Sequence, residues 1–144
     1  MELTKLNPRP RSAILYDRVG RSDEHVAYDC RLIYVISGDI TVSTGGEKPS
    51  HLGAGELIFI PAGTPYKLKG KYVRLAAFSF DLTDEFPEVC EKPTSPSEFI
   101  TDKCHINEDS APFDKVIRLS GMESEREIIE KMCYTFVSAE GAYL

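Results

Sequence analysis

The sequence predicts a mainly β protein, an antiparallel barrel or sandwich followed by one amphipathic α-helix. Short segments rich in Ile, Val, Tyr, Phe and Leu recur through the first part of the chain, and turn residues separate them at roughly eight to twelve residues. Near the C-terminus the apolar residues change to a helical period. At 144 residues the chain is long enough for one core and one domain.

Six strands are predicted, each bounded by turn residues such as Gly, Pro, Ser or Asp. They are Ala13–Val19, Ala27–Ile36, Asp39–Thr44, Glu56–Ile60, Tyr66–Lys69 and Tyr72–Leu82. Residues 84–112 are acidic and hold four of the nine prolines. We expect this stretch to be an irregular excursion around one more short strand.

The C-terminal helix is predicted by one apolar stripe and by signals at its two ends. Ser124 to Glu127 has the pattern of a capping box, and Gly141 is a plausible C-terminal stop. Apolar residues at helical spacing need to be covered by the barrel, by a partner helix, or by both. The predicted dimerisation residues are Ile128, Ile129, Met132, Cys133, Phe136 and Val137.

The charge distribution argues against nucleic-acid binding by this chain. The formal net charge is −6, and the basic cluster Lys67, Lys69, Lys71 and Arg74 has the spacing of the solvent-facing side of a strand. No apolar run approaches the roughly 20 residues that span a bilayer, and the N-terminus lacks the apolar region of a secretory signal. We therefore expect a cytoplasmic protein without a membrane partner.

The sequence contains no recognisable catalytic or metal motif. No two cysteines form a Cys-x-x-Cys pair and no two histidines are close in sequence, and a structural zinc site normally needs four well-spaced ligands. The residues concerned are Cys30, Cys90, Cys104, Cys133, His25, His51 and His105. We expect no metal, no cofactor and no catalytic residues.

One segment resembles the second signature of the cupin family. Gly55 to Tyr66 has the cupin order of glycine, proline and glycine, but Tyr66 replaces the final histidine. In the first signature, Gly38 matches the glycine, Arg31 replaces the glutamate, and His25 alone lies near the histidine pair. The resemblance implies a jelly-roll barrel, the double-stranded β-helix, that has lost nearly all of its metal ligands.

A cupin pattern without its metal ligands is similar to the N-terminal sensor domain of the AraC family of bacterial transcriptional regulators. The stretch from Asp29 to Asp39 is also similar to a strand of that domain. The resemblance implies an N-terminal arm over residues 1–12, an effector-binding barrel over 13–120 and a truncated dimerisation helix over 121–144. It further implies a small polar effector such as a sugar, a homodimer, no catalysis, and DNA binding only through a helix-turn-helix domain absent from this chain. The arm is expected either to close over the effector or to be a frayed tail.

The resemblance and strand alternation together give the candidate ligand-binding residues. An arginine inside a barrel keeps its charge, so Arg31 either binds a ligand, pairs with Asp29, or faces outward in another register. Tyr66 is either a ligand donor or a packing aromatic, and His25 is either a pocket residue or a loop residue. The candidates are Arg11, His25, Ala27, Arg31, Ile33, Tyr66, Leu68 and Ala77.

Two other classes of function remain open. One is a stand-alone cupin enzyme, a metal-dependent isomerase or dioxygenase, which normally uses several histidines and a glutamate. The other is an assembly module whose barrel is filled by its own side chains.

Overall fold

The computed structural model describes residues 1–21 and 23–139, with the backbone alone for residues 20, 21 and 137–139. Eight antiparallel strands in this part of the chain form a barrel-like sheet, and one helix packs against it. The elements are β1 (Arg9–Tyr16), β2 (Gly20–Arg21), β3 (Cys30–Thr44), β4 (Ser50–Gly53), β5 (Leu57–Ile60), β6 (Tyr66–Gly70), β7 (Val73–Asp81), β8 (Ile117–Leu119) and α1 (Arg126–Ala139). The predicted fold class, a cupin-like antiparallel barrel with a C-terminal helix, is confirmed.

Strand β3 belongs to both layers of the barrel. Its first half pairs with β5 and β7, and its second half pairs with β4 and β6. The strand bends at a register shift between Val35 and Ser37, followed by Gly38 at a φ of +78°. The two strands predicted on either side of Gly38 are therefore one bent strand. The sequence prediction also missed β4, which pairs with the second half of β3.

The main core lies between the two layers and is aliphatic. Along β3, Ile33 and Val35 point into it, whereas Tyr34 and Ile36 point to the opposite face, as the period of two requires. The buried members of this core are Ile33, Val35, Ile40, Val42, Leu52, Ile58, Ile60, Val73 and Leu75.

The outer face of the first layer is covered by α1. Ile129 and Cys133 are buried against Ala13 of β1 and Ala76 of β7, and Phe136 packs at the edge of this cluster. Contact with the chain's own sheet therefore uses Ile129 and Cys133, which corrects their assignment to a dimer interface. A single stripe was expected, but the apolar residues lie on two faces of the helix.

Of the other predicted dimerisation residues, two lie outside the contact between α1 and the sheet, and one has a side chain that is not among those described. Ile128 and Met132 are 60% and 52% exposed. The side chain of Val137 and the predicted stop at Gly141 lie outside the described residues. The expected capping box is also absent: Ser124 lies in a 3-10 turn, Glu123–Glu125, and donates its hydroxyl to the Glu125 carboxylate at 2.9 Å.

Residues 1–12 are only partly an arm, because residues 9–12 already belong to β1 and pair with β7. In residues 84–112 the expected short strand is absent from the described structure. Two 3-10 turns, Pro96–Glu98 and Thr101–Lys103, and one isolated bridge between Val26 and Thr94 take its place. Among the described residues, no helix has the length and apolar character needed to cross a membrane.

Candidate ligand-binding site

A cavity of about 450 Å³ lies inside the barrel, between β1, β3, β6 and β7. Period-two alternation on these strands turns one set of side chains toward it. Its lining residues are Ser12, Ile14, Tyr16, Arg18, Val19, His25, Arg31, Ile33, Tyr66, Leu68, Leu75, Ala77, Phe78 and Pro93. Six of the eight candidate ligand-binding residues are among them: His25, Arg31, Ile33, Tyr66, Leu68 and Ala77.

The other two candidates lie elsewhere. Ala27 is 2% exposed and its carbonyl accepts a hydrogen bond from the Gly63 N–H at 2.9 Å, so its backbone holds a turn and its side chain does not line the cavity. The regular strand begins only at Cys30, and alternation counted back from Arg31 therefore fails at Ala27. Arg11 lines a neighbouring cavity of about 970 Å³. Both positions are corrections to the predicted site.

Arg31 lies on the wall between the two cavities. Ser12, Ile14 and Pro93 line both cavities with it. Arg31 is paired across the sheet with Ile60 of β5 and Ser79 of β7, and its side chain is 19% exposed. The alternative in which Arg31 faces outward is therefore wrong.

The guanidinium of Arg31 is only partly satisfied by its neighbours. Its Nη2 lies 3.1 Å from Asp29 Oδ1, close enough for an ion pair. The alignment is not that of a hydrogen bond, because Asp29 Oδ1 and Arg31 Nε both remain buried without a hydrogen-bond partner among the described residues. A buried, unsatisfied N–H costs about 1–3 kcal/mol, so Arg31 retains a strong tendency to bind an acceptor.

Asp29 and Asp81 join this arginine to a buried charge network. Arg11 Nε donates to Asp81 Oδ2 at 3.1 Å, and His105 Nδ1 lies 2.9 Å from Asp81 Oδ1. Burial raises the pKa of Asp29 above its ordinary value of 3.8, the charge of Arg31 opposes that rise, Asp81 adds to it, and Arg11 opposes it. The network therefore links the cavity wall with His105 in the irregular segment.

Tyr66 and His25 are positioned by their backbones. The His25 N–H donates to the Tyr66 carbonyl at 2.9 Å, and the Tyr66 N–H donates back at 2.8 Å. Burial raises the pKa of the Tyr66 phenol, which the charge of Arg31 and its side-chain hydrogen bond partly lower. Tyr66 is therefore a neutral phenol at ordinary pH, able both to donate and to accept. His25 Nδ1 lies 2.8 Å from the Asp23 carbonyl.

The residues at the metal-binding positions of the cupin signatures do not fit a metal ion. A guanidinium at position 31 repels a cation, and Tyr66 replaces the last histidine. Over residues 1–21 and 23–139, no group of three or more His, Cys, Asp or Glu side chains is close enough together to hold a metal.

Several cavity residues were missed by the sequence analysis. Ser12, Ile14 and Tyr16 alternate along β1 and face the same side as Arg31, and Pro93 reaches the cavity from the irregular segment. The alternation of side chains along β1 is visible in the sequence. The sequence analysis, however, divided these residues between an arm that ends at residue 12 and a strand that starts at Ala13. Nothing in the sequence places Pro93.

The fold agrees with the comparison against known families. Residues 19–73 match the Cupin_2 family, which is described as a cupin domain. The matched residues include both segments that resemble the cupin signatures. The chain thus contains a cupin-type domain. No curated protein sequence matches it.

Solved structures similar to the chain share little sequence with it. A protein of Neisseria meningitidis, NMB1881, has 15% identity and a TM-score of 0.44 over 52% of this chain and 84% of its own. A DMSP lyase from Ruegeria pomeroyi has 17% identity and a TM-score of 0.44 over 58% and 40%. Oxalate decarboxylase from Bacillus subtilis has 16% identity and a TM-score of 0.45 over 64% and 24%. The chain therefore spans less than half the length of either enzyme.

The prediction that the chain is not an enzyme is wrong as it was stated. The solved structures similar to the chain include a lyase and a decarboxylase. At these identities the similarities assign no activity to the chain itself.

Proposed function

We propose that the barrel binds a small molecule through Arg31, Tyr66 and His25, and that this binding is the effector-sensing step of an AraC-type transcriptional regulator. The observation that carries the proposal is the cavity of about 450 Å³, where polar groups converge beside aliphatic side chains. The resemblance over Asp29 to Asp39 and Gly55 to Tyr66 supports the regulatory part.

Thermal unfolding with a panel of sugars, carboxylic acids and amines tests the binding. A ligand that binds only the folded chain, at one hundred times its Kd, stabilises it by about 2.7 kcal/mol and raises the Tm by several degrees. Ala77→Leu adds bulk to the cavity wall and is expected to abolish the shift. A panel without any shift contradicts the proposal.

The coding sequence downstream of Leu144 tests the regulatory part. We expect it to continue into a second amphipathic helix and a helix-turn-helix domain. A stop codon directly after Leu144 contradicts the regulator and leaves ligand binding as a separate result.

A homodimer is part of the same proposal. Ile128 and Met132 are one helical turn apart and more than half exposed, so they are the predicted residues left on the surface for a second copy of the chain. Sedimentation equilibrium of Ile128→Glu is expected to show a lower average mass than the unmodified chain. A monomeric unmodified chain contradicts the dimer.

A cupin enzyme is the second candidate function. His25 and Tyr66 line the cavity beside Arg31, and both residue types transfer protons in enzymes. Incubation of the chain with the same panel, followed by NMR with and without added Mn²⁺ or Fe²⁺, tests it. Product formation that is lost in Tyr66→Phe supports an enzymatic function. If NMR shows no conversion of any compound of the panel, the enzymatic function is contradicted.

A further inference from the structure

We infer that the ligand of the barrel cavity is a small organic carboxylate with an apolar body. The inference rests on the proposed function, because it names the chemistry of a molecule bound in that cavity. Three observations lead to it: the charge of the cavity wall, the incomplete bonding of Arg31, and the aliphatic surface around it.

The cavity wall is positively charged although the chain is acidic. Arg18 and Arg31 line the cavity with His25, and none of the described aspartates or glutamates lines it, whereas the chain as a whole carries a net charge of −6. A concave site with charges of one sign concentrates ions of the opposite sign. Asp29 compensates Arg31 in part, but it lines only the neighbouring cavity. The charge favours an anion over a neutral sugar or an amine.

Arg31 is the residue suited to receive that anion. Within the described part of the chain its Nε has no hydrogen-bond partner, and its Nη2 contacts Asp29 at 3.1 Å without hydrogen-bond alignment. Guanidinium groups bind carboxylates with two parallel N–H donors, an arrangement stronger than hydrogen bonds between neutral groups. A carboxylate that reaches Nε would supply the acceptor that this atom lacks among the described residues. The neutral hydroxyl of Tyr66, already hydrogen-bonded to Arg31, supplies another donor.

The aliphatic part of the cavity wall determines which kind of molecule can bear the carboxylate. Six aliphatic residues line the cavity: Ile14, Val19, Ile33, Leu68, Leu75 and Ala77. An apolar body that covers these side chains is stabilised by the apolar surface it removes from water, whereas a polyhydroxyl body leaves its own hydroxyls without partners there.

Matched pairs of probes test the charge of the ligand. Benzoate and benzamide have the same shape, as do hexanoate and hexanamide, but only the acids are ionised at neutral pH. Isothermal titration of the chain is expected to show each acid binding at least about tenfold more tightly than its amide, which corresponds to about 1.4 kcal/mol. Arg31→Gln is expected to reduce acid affinity to that of the amide. Arg118→Gln removes one positive charge from β8, outside the cavity, and is expected to leave the affinity unchanged.

Two results would overturn the inference. In the first, amides or sugars bind and the acids do not, which rejects the carboxylate but keeps a small-molecule site in the barrel. In the second, acid binding is unchanged in Arg31→Gln, which places the acids elsewhere. If neither the acids nor any member of the thermal panel binds, the inference and the proposed function both fail. Should Arg31→Gln not fold, Ala77→Leu, which fills the cavity, tests whether the acids bind there, and the difference between each acid and its amide tests the charge.

Discussion

Arg31 Nη2 lies 3.1 Å from Asp29 Oδ1, so an arginine shared by two cavities is paired with a carboxylate that lines only one of them. Each partner keeps one buried polar atom that makes no hydrogen bond to residues 1–21 or 23–139. The pair is therefore held by charge rather than by well-aligned hydrogen bonds. An anion in the barrel cavity competes with Asp29 for the same guanidinium.

The first prediction concerns the pH dependence of stability at Asp29. Burial is the largest cause of its raised pKa, so the folded chain holds the Asp29 proton more tightly than the unfolded chain does. The contribution of Asp29 to the free energy of unfolding therefore falls as the pH rises from its ordinary pKa of 3.8 toward the folded value. Asparagine does not titrate. The stability of Asp29→Asn relative to the unmodified chain is therefore expected to increase as the pH rises above 3.8.

Urea unfolding at a series of pH values measures that difference. The test is whether the difference in free energy of unfolding rises or falls with pH. Its absolute size is not used, because Asp29→Asn also leaves Arg31 without its charged partner. A difference that decreases with pH would show that Arg31 and Arg11 outweigh burial, and that the pKa of Asp29 is lowered in the folded chain.

The second prediction concerns the bend in β3. Gly38 has a φ of +78°, and a Cβ there would collide with the Tyr72 carbonyl oxygen. Gly45 also has a positive φ, of +56°, but a Cβ there meets nothing within 4 Å. Gly45→Ala therefore measures backbone strain alone, about 1 kcal/mol, whereas Gly38→Ala adds the collision and is expected to cost about 3 kcal/mol or more. If urea unfolding shows that Gly38→Ala and Gly45→Ala lose the same free energy of unfolding, the backbone near Tyr72 moves away from the added Cβ without cost.

The strands and the Gly55–Tyr66 turn were predictable because local sequence determines them. Gly55 and Gly63 have positive φ values, and Pro61 fixes the backbone between them, so the turn is specified by residue type alone. The alternation of Ile33 and Arg31 on one face also followed from sequence once the strand was located. These features depend on neighbours a few residues apart.

The rest of the site depends on contacts between residues far apart in the chain. Asp81 and His105 are brought together by the irregular segment, whose path has no periodic pattern to predict it. Ile129 and Cys133 were recognised as apolar, but the helical period does not say whether a sheet or a second helix covers them. In both cases the sequence identified the residue type and could not identify the partner.

The third prediction separates the two apolar faces of α1. Ile129→Ala removes a buried side chain from the contact with β1 and β7 and is expected to lower the free energy of unfolding by about 2–4 kcal/mol. Ile128→Ala changes a side chain that is 60% exposed and is expected to cost less than about 0.5 kcal/mol. Chemical denaturation at one low protein concentration compares them. The reverse order would place Ile128 against the sheet and overturn the helix orientation described above.

The last prediction concerns how the irregular segment is fastened to the barrel. The Phe99 ring stacks on Tyr28 with 4.6 Å between centroids, and the Ile100 N–H donates to the Tyr28 hydroxyl at 2.9 Å. Phe99→Ala removes the stack and is expected to cost about 1–2 kcal/mol of local stability, because an aromatic pair adds to the area that it buries. Hydrogen exchange of residues 94–105 is expected to accelerate roughly five- to thirtyfold if the segment opens as a unit. Ile100→Ala, which keeps the N–H donor and changes a side chain that is 49% exposed, is the matched control. Equal exchange rates in the two variants would show that the backbone hydrogen bonds of Thr94 and His105, rather than the ring stack, hold the segment in place.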